Sequence, residues 1–362
     1  MRPGAQIKFV PLVRQFSLHH FCGQGQVQPL KMLIKGFSAK APPILGPLFE
    51  LSHARLRLCD IGANILDEMF YGEYNNKQQH ESDVNQVIER AQSLGVCSMI
   101  FTGHSVKNSA DTLSLCMTSP FNTGLFCTAG IHPCSSQVFE QEGVDKTIES
   151  LKKVVDDGIK SGKLVAFGEC GLDYDRLNYC NAETQRLGFE KQLELATNYD
   201  LPLFLHNRNT GTDFVDMMTK YQSRLRGGGV VHSFTGDATE MKALTDMGLY
   251  IGFNGCSLRT EEGLANAALV PAHLLLLETD APWCGIKASH PSFKYVDTTF
   301  PTKKKEKYEE GVLVKDRNEP CTMVQVLEVI AKVRNCDPIE LAEQVYRNSE
   351  TLFPLIKRTQ EL

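Results

Sequence analysis

The sequence lacks several features that would fix its class at once. No apolar run approaches the ~20 residues that a bilayer-spanning helix needs, so no membrane role is expected. No G-x-G-x-x-G or Walker loop follows an early strand-like run, which disfavours a doubly wound open sheet as runner-up. No internal repeat is evident. The twelve cysteines contain no C-x-x-C pair and are irregularly spaced. Cys59, Cys127 and Cys170 lie inside apolar runs, where a thiol acts as a small hydrophobe. With no secretory signal evident, the chain reads as intracellular with reduced thiols rather than as a disulfide scaffold.

Acidic residues are scarce at one end only. Residues 1–57 carry eight Lys/Arg and the single acid Glu50, a charge of +7 against −5 for the whole chain. Residues 58–362 therefore carry −12, which argues against a broad DNA-coating face but not against a local grip on a few phosphates. Residues 1–57 show no sustained period and read as a basic extension, either disordered or targeting. A transit peptide there would direct the chain to mitochondria; otherwise a nuclear or cytoplasmic location is expected.

From residue 57 onward the pattern alternates. Strand-like runs fall at 57–62, 96–102, 125–130, 164–168, 201–205, 230–232, 249–253 and 274–278. Helical spacing falls between them, at 83–93, 109–117, 144–159, 184–198, 213–220, 239–247 and 261–268. Two further helices, 323–333 and 338–347, close the chain. Eight strands alternating with helices predict an α/β chain folded as a (β/α)8 TIM barrel over 58–355, with a short tail at 356–362.

Four metal-type residues end four of these runs: Glu169, His206, His232 and Asp280, separated by 37, 26 and 48 residues. Parallel barrels gather strand C-termini on one face, so the four should meet in one pocket. A Glu, two His and an Asp form a ligand set for divalent metals and for hydrolysis. Each residue taken singly could equally be a hydrogen-bonded strand end.

Around them run Gly168-Glu169-Cys170-Gly171-Leu172-Asp173, His206-Asn207-Arg208, Val231-His232-Ser233-Phe234-Thr235-Gly236, Glu278-Thr279-Asp280-Ala281-Pro282 and Arg317-Asn318-Glu319-Pro320. With Asp60-Ile61-Gly62-Ala63-Asn64 and Gly130-Ile131-His132-Pro133, these strings closely resemble the TatD family of metal-dependent deoxyribonucleases. Ile251 to Leu258, Trp283-Cys284-Gly285 and Pro301 to Lys305 resemble its eukaryotic TatD-domain-containing-protein-1 branch.

The resemblance implies hydrolysis of DNA phosphodiester bonds, 3′ to 5′ on single strands, in repair or degradation. It implies two divalent cations. Glu169 would bridge them, His206 and His232 would hold one, and Asp280 would hold the other and orient the attacking water. His132 would face the phosphate or act as an acid. Many relatives carry His-x-His where this chain has Gly62 and Asn64. Fewer imidazoles favour Mg²⁺ or Mn²⁺, although Zn²⁺ can use the same set. Arg208, Asn64 and Asn254 are candidate substrate contacts. Lys303, Lys304, Lys305 and Lys307 read as a solvated face, a DNA-steering patch or a nuclear signal. No obligate protein partner is evident. Two alternatives stay open at this stage: a related hydrolase cutting an amide or ester, or a protein that binds metal and nucleic acid without turnover.

Overall fold

The computed structural model describes Gly46, residues 56–121 and residues 124–358. Eight parallel strands form one sheet in sequential order: β1 (Leu58–Ala63), β2 (Val96–Phe101), β3 (Leu125–Ala129), β4 (Leu164–Asp173), β5 (Leu203–Arg208), β6 (Gly229–Val231), β7 (Tyr250–Phe253) and β8 (Leu275–Leu277). Between them lie α1 (Val84–Ser93), α2 (Val106–Thr118), α3 (Val144–Ser161), α4 (Ala182–Ala196), α5 (Asp213–Tyr221), α6 (Ala238–Asp246) and α7 (Glu261–Leu269). Helices α8 (Met323–Arg334) and α9 (Pro338–Leu352) follow β8. The expected (β/α)8 order is therefore observed.

Most element bounds agree with the sequence pattern, but β4 does not. The pattern ends that strand at Gly168, whereas it continues to Asp173. Gly168 and Gly171 sit at φ 140° and 147°, a region open mainly to glycine. A Cβ on Gly171 would lie 1.9 Å from the carbonyl oxygen of His206 on β5. Glycine is thus the residue that lets β4 run on against β5, rather than a sign that it stops.

The strands close into a barrel where β1 meets the segment after β8. Asp280 N–H donates to Gly62 O (2.8 Å) and Asn64 N–H to Ala281 O (2.6 Å). Ala63 and Ala281 form a parallel bridge. Asp60 tightens the seam: its carboxylate accepts from the Thr279 amide (2.9 Å) and hydroxyl (2.5 Å).

Two apolar layers hold the fold. One lies between strands and helices and includes Met99, Phe101, Leu125, Phe167, Leu205, Phe189 and Phe214. The other fills the barrel interior with Ile61, Ile100, Phe126, Phe204, Val230 and Leu276, together with Tyr346, Leu352, Phe353 and Ile356 from the chain's end. Asn348 Nδ2 donates to the carbonyls of Ala272 and Leu275 at the start of β8, so α9 plugs the N-terminal mouth. Arg57 at the start of β1 pairs with Glu343 on α9 (3.1 Å). Ile356 is fully buried against this interior layer. The extension or targeting reading of residues 1–57 falls outside the described residues except at Gly46, Leu56 and Arg57. Gly46 is buried and donates its N–H to Thr298 (3.0 Å).

Behind the closing seam lies a buried ionic quartet. Arg317 grips Asp83 with two nitrogens (2.7 and 2.6 Å) and Glu319 with one (2.8 Å). Arg90 completes it through Glu319 (2.9 Å) and Asp83 (3.4 Å). All four side chains are fully inaccessible. Arg317 also donates to Met69 O (3.0 Å), tying the β1–α1 loop to the segment that precedes α8. Breaking such a set strands a buried charge. Arg317→Ala should destabilise the fold by about 3–5 kcal/mol, and Arg317→Lys should restore little because the two-pronged grip is lost. Urea denaturation measures this, and a loss below ~1 kcal/mol would refute it.

Candidate metal and hydrolytic site

The C-terminal ends of β3, β4, β5 and β6 bring one carboxylate against three imidazoles. Glu169 Oε1 lies 2.7 Å from His232 Nε2, 2.9 Å from His206 Nδ1 and 3.4 Å from His132 Nε2. His206 Nδ1 and His232 Nε2 are 3.2 Å apart. Glu169, His206 and His232 are buried, while His132 is partly open. Ligand atoms of His132, Glu169 and His206 all fall within 4.8 Å of one another, a spacing that one cation could span.

Carboxylates fix the far sides of two rings. His206 Nε2 meets Asp173 Oδ2 (3.1 Å), and His232 Nδ1 meets Glu278 Oε2 (3.4 Å). Metal-binding histidines commonly place their second nitrogen on a carboxylate, which sets the tautomer and aims the ring. Glu278 is itself held by the Ser233 amide and by Asn254 Nδ2 (3.3 Å). His132 differs. Its Nδ1 accepts from the Cys134 amide (3.1 Å), so the neutral ring carries its proton on Nε2, facing Glu169. Burial, opposed by Glu169, takes its basicity down to a pKa of about 3. In that tautomer His132 is a hydrogen-bond donor toward Glu169.

Asp280 stands on the other side, on a left-handed turn at φ 51°. Its Oδ1 accepts from Asn64 Nδ2 (2.9 Å), and Thr102 Oγ1 donates to Asn64 Oδ1 (2.6 Å). Cys284 Sγ donates to Asp280 Oδ2 (3.2 Å). Burial lifts the Asp280 carboxyl to a pKa of about 6; His232 opposes the rise, and Glu278 and Glu169 add to it. Burial also raises Glu169, but the imidazoles of His232 and His132 outweigh it and hold the carboxyl well below its ordinary value. His232 thus stands directly against Glu169, whereas the donors to Asp280, Asn64 and Cys284, are neutral. A divalent cation suits this donor set: oxygen and imidazole ligands, aimed inward, with surplus negative charge.

The expected residues distribute unevenly. Glu169, His206, His232 and His132 cluster, and Asp280 with Asn64 flanks them. Arg208 is partly exposed and lies 3.6 Å from Asp173, the residue that orients His206. Asn254 requires a correction. It is fully buried, donates to Ser233 Oγ (2.9 Å) and Glu278, and accepts from the amides of Cys256 and Ser257. Its amide is saturated, so it supports Glu278 instead of touching substrate. Sequence reasoning missed the roles of Asp173 and Glu278. Asp173 follows Glu169 by four residues on one strand, a period-two signal that was available once β4 is seen to continue.

Residues 63–354 match the model of the family described as TatD related DNase. Deoxyribonuclease Tat-D of Schizosaccharomyces pombe is 44% identical over 82% of this chain and 96% of its own length. The 3′-5′ ssDNA/RNA exonuclease TatD of Erwinia tasmaniensis is 33% identical over 82% and 99%. Among solved structures, a hydrolase TatD family protein from Entamoeba histolytica superposes with a TM-score of 0.77, at 32% identity, over 83% and 98% of the two chains.

The Asp173–His206 contact gives a test that does not depend on substrate. Asp173→Asn should weaken divalent-cation binding by roughly 10- to 100-fold while leaving the fold intact. Calorimetric titration with Mn²⁺ reads this directly, and unchanged affinity would remove Asp173 from the site.

Proposed function

This chain belongs to the TatD-related DNase family, and from that premise we propose that it hydrolyses phosphodiester bonds of single-stranded DNA from the 3′ end. The observation that carries the reading is the inward-facing set of Glu169, His206 and His232 with Asp280 opposite it. That is a hydrolytic donor set at the mouth where barrel enzymes do their chemistry. Neither an amide- or ester-cleaving role nor a purely binding role is favoured by relatives that carry nuclease names.

In this reading Glu169, His206, His232 and Asp280 would hold the cations, with Glu169 common to both, the two histidines on one and Asp280 on the other. Mg²⁺ or Mn²⁺ is favoured over Zn²⁺, because the β1 end offers Gly62 and Asn64 where imidazoles would be needed. Bound cations supply Lewis acidity and a water of lowered pKa. The chain's own residues do the rest. Asp280 accepts a hydrogen bond from water and aims its lone pair at phosphorus. Asn64 holds Asp280 in that orientation. His132 Nε2–H donates to a non-bridging phosphate oxygen. Arg208 neutralises a phosphate while steadying Asp173.

Asp280→Asn should lower kcat on labelled single-stranded DNA by at least ~100-fold, and Glu169→Ala should abolish turnover and weaken cation binding. A Glu169→Ala chain that keeps wild-type rates in Mg²⁺ or Mn²⁺ would overturn the reading. Arg208→Ala should act differently, raising KM and reducing the slope of log affinity against log salt by roughly one, with the saturated rate little changed. If the saturated rate instead falls ~100-fold at unchanged affinity, Arg208 acts on the transition state.

A further inference from the structure

A cavity of ≈ 1030 Å³ opens beside the site. Its walls continue the segments that carry site residues. Asn64 leads into Leu66 and Asp67, Thr102 into His104, and Asp280 into Trp283, all of which line the cavity. Across from them stand Lys304, Lys305 and Lys315. The Lys303–Lys307 insert is thereby placed. Lys303 pairs with Glu309 on the strand-like ribbon Thr302–Lys303/Leu313–Val314, and Lys305 sits over the Tyr74 ring (4.8 Å).

Trp283 is the chain's only tryptophan and is 53% exposed. Its backbone is pinned on both sides. Trp283 N–H donates to Asp280 O (2.9 Å), and Asn318 N–H donates to Pro282 O (2.9 Å). Asn318 Nδ2 also holds Thr279 O (3.0 Å). A large indole is therefore held in water on a fixed backbone, three residues from Asp280 and facing a lysine-bearing wall.

We propose that Trp283 is a stacking platform for a base of the bound strand, with Lys304, Lys305 and Lys315 tracking the adjoining phosphates. An aromatic face beside a basic track is how proteins hold single strands without reading sequence, because every base offers a π-face. The wall carries more acid than base, since Asp67, Glu68, Glu73, Glu306 and Asp316 line it with the three lysines, so phosphate contacts there are confined to the lysines themselves. That suits one strand threaded past a few lysines better than a duplex laid on a positive face. The subsite rests on the nuclease reading above and deepens it: it sets strand state and places bases beside the bond to be cut. Trp283 contacts substrate but no reacting atom, so it is a positioning residue.

The lone tryptophan supplies its own probe. The full-length wild-type chain would be titrated in Mg²⁺ with a phosphorothioate-linked single strand, which resists cleavage. Indole fluorescence should fall on binding, and it should fall much less with a strand of equal length whose 3′-terminal sugars lack bases. Trp283→Ala should raise KM on single strands about 5- to 100-fold, with kcat within about twofold. Trp283→Tyr should recover most of that loss, as a stacking role requires and a packing role does not. Equal quenching by base-bearing and base-less strands, or a Trp283→Ala chain with unchanged KM, overturns the subsite while the nuclease reading stands. If the wild-type chain neither cleaves nor binds any strand, the nuclease reading falls and takes the subsite with it.

Discussion

The hydrogen bonds that shut the barrel between β1 and the end of β8 govern the rest of the molecule. The donors of Asp280 and Asn64 reach across to Gly62 and Ala281, and Asp60 clamps Thr279. Burial raises the Asp60 carboxyl to a pKa of about 8, against the pull of the Thr279 and Gly62 donors. The same few residues both close the sheet and build the site. Asp280 meets Asn64 because their backbones are already paired. The Glu278-Thr279-Asp280-Ala281-Pro282 string divides the work residue by residue. Glu278 holds His232, Thr279 meets Asp60, Asp280 faces the pocket, Ala281 bridges to Ala63, and Pro282 anchors Asn318. A substitution anywhere in it disturbs closure and chemistry together.

Electrostatics then separates the two halves of the pocket. On one side three imidazoles surround Glu169, and Asp173 and Glu278 stand behind two of them. On the other side Asp280 has only neutral donors, Asn64 and Cys284, and its affinity for a proton rises. One half is a preorganised socket. The other is a carboxylate that gains by sharing its charge with a cation or a water. Two differently prepared halves suit the metal-assisted hydrolysis proposed above.

Much of this was legible in the sequence, for physical reasons that differ between residues. The strand–helix alternation was legible because buried parallel strands are nearly all apolar and helices carry 3-to-4 spacing. Glu169, His206, His232 and Asp280 were legible because each breaks an apolar run at its end. The continuation of β4 was not, since the apolar run stops at Gly168 and only the β5 carbonyls beside Gly168 and Gly171 show why glycine there carries the strand on. Asn254 looked like a pocket residue because it ends β7; only the tertiary arrangement reveals that Ser233, Glu278 and its own loop use up its amide. Glu278 and Asp173 stayed hidden for the same reason. Their partners lie 46 and 33 residues away on other strands.

Gly62 brings these threads together. Read as sequence, it is a missing imidazole. In the fold, a Cβ there would lie 2.5 Å from Glu278 Oε2 and 3.0 Å from the Phe204 ring. The space a ligand would need is occupied by the carboxylate that aims His232. Adding a histidine at 62 alone would therefore displace Glu278 and loosen His232 before it gained a cation contact. The absence of the imidazole and the presence of the Glu278–His232 pair are one arrangement. In the proposed reading, nitrogen donors would lie on the β5–β6 side, and Asp280, held by Asn64, would be the oxygen donor opposite them. Oxygen donors select hard cations that keep waters in their shell, and a water is the nucleophile that hydrolysis needs.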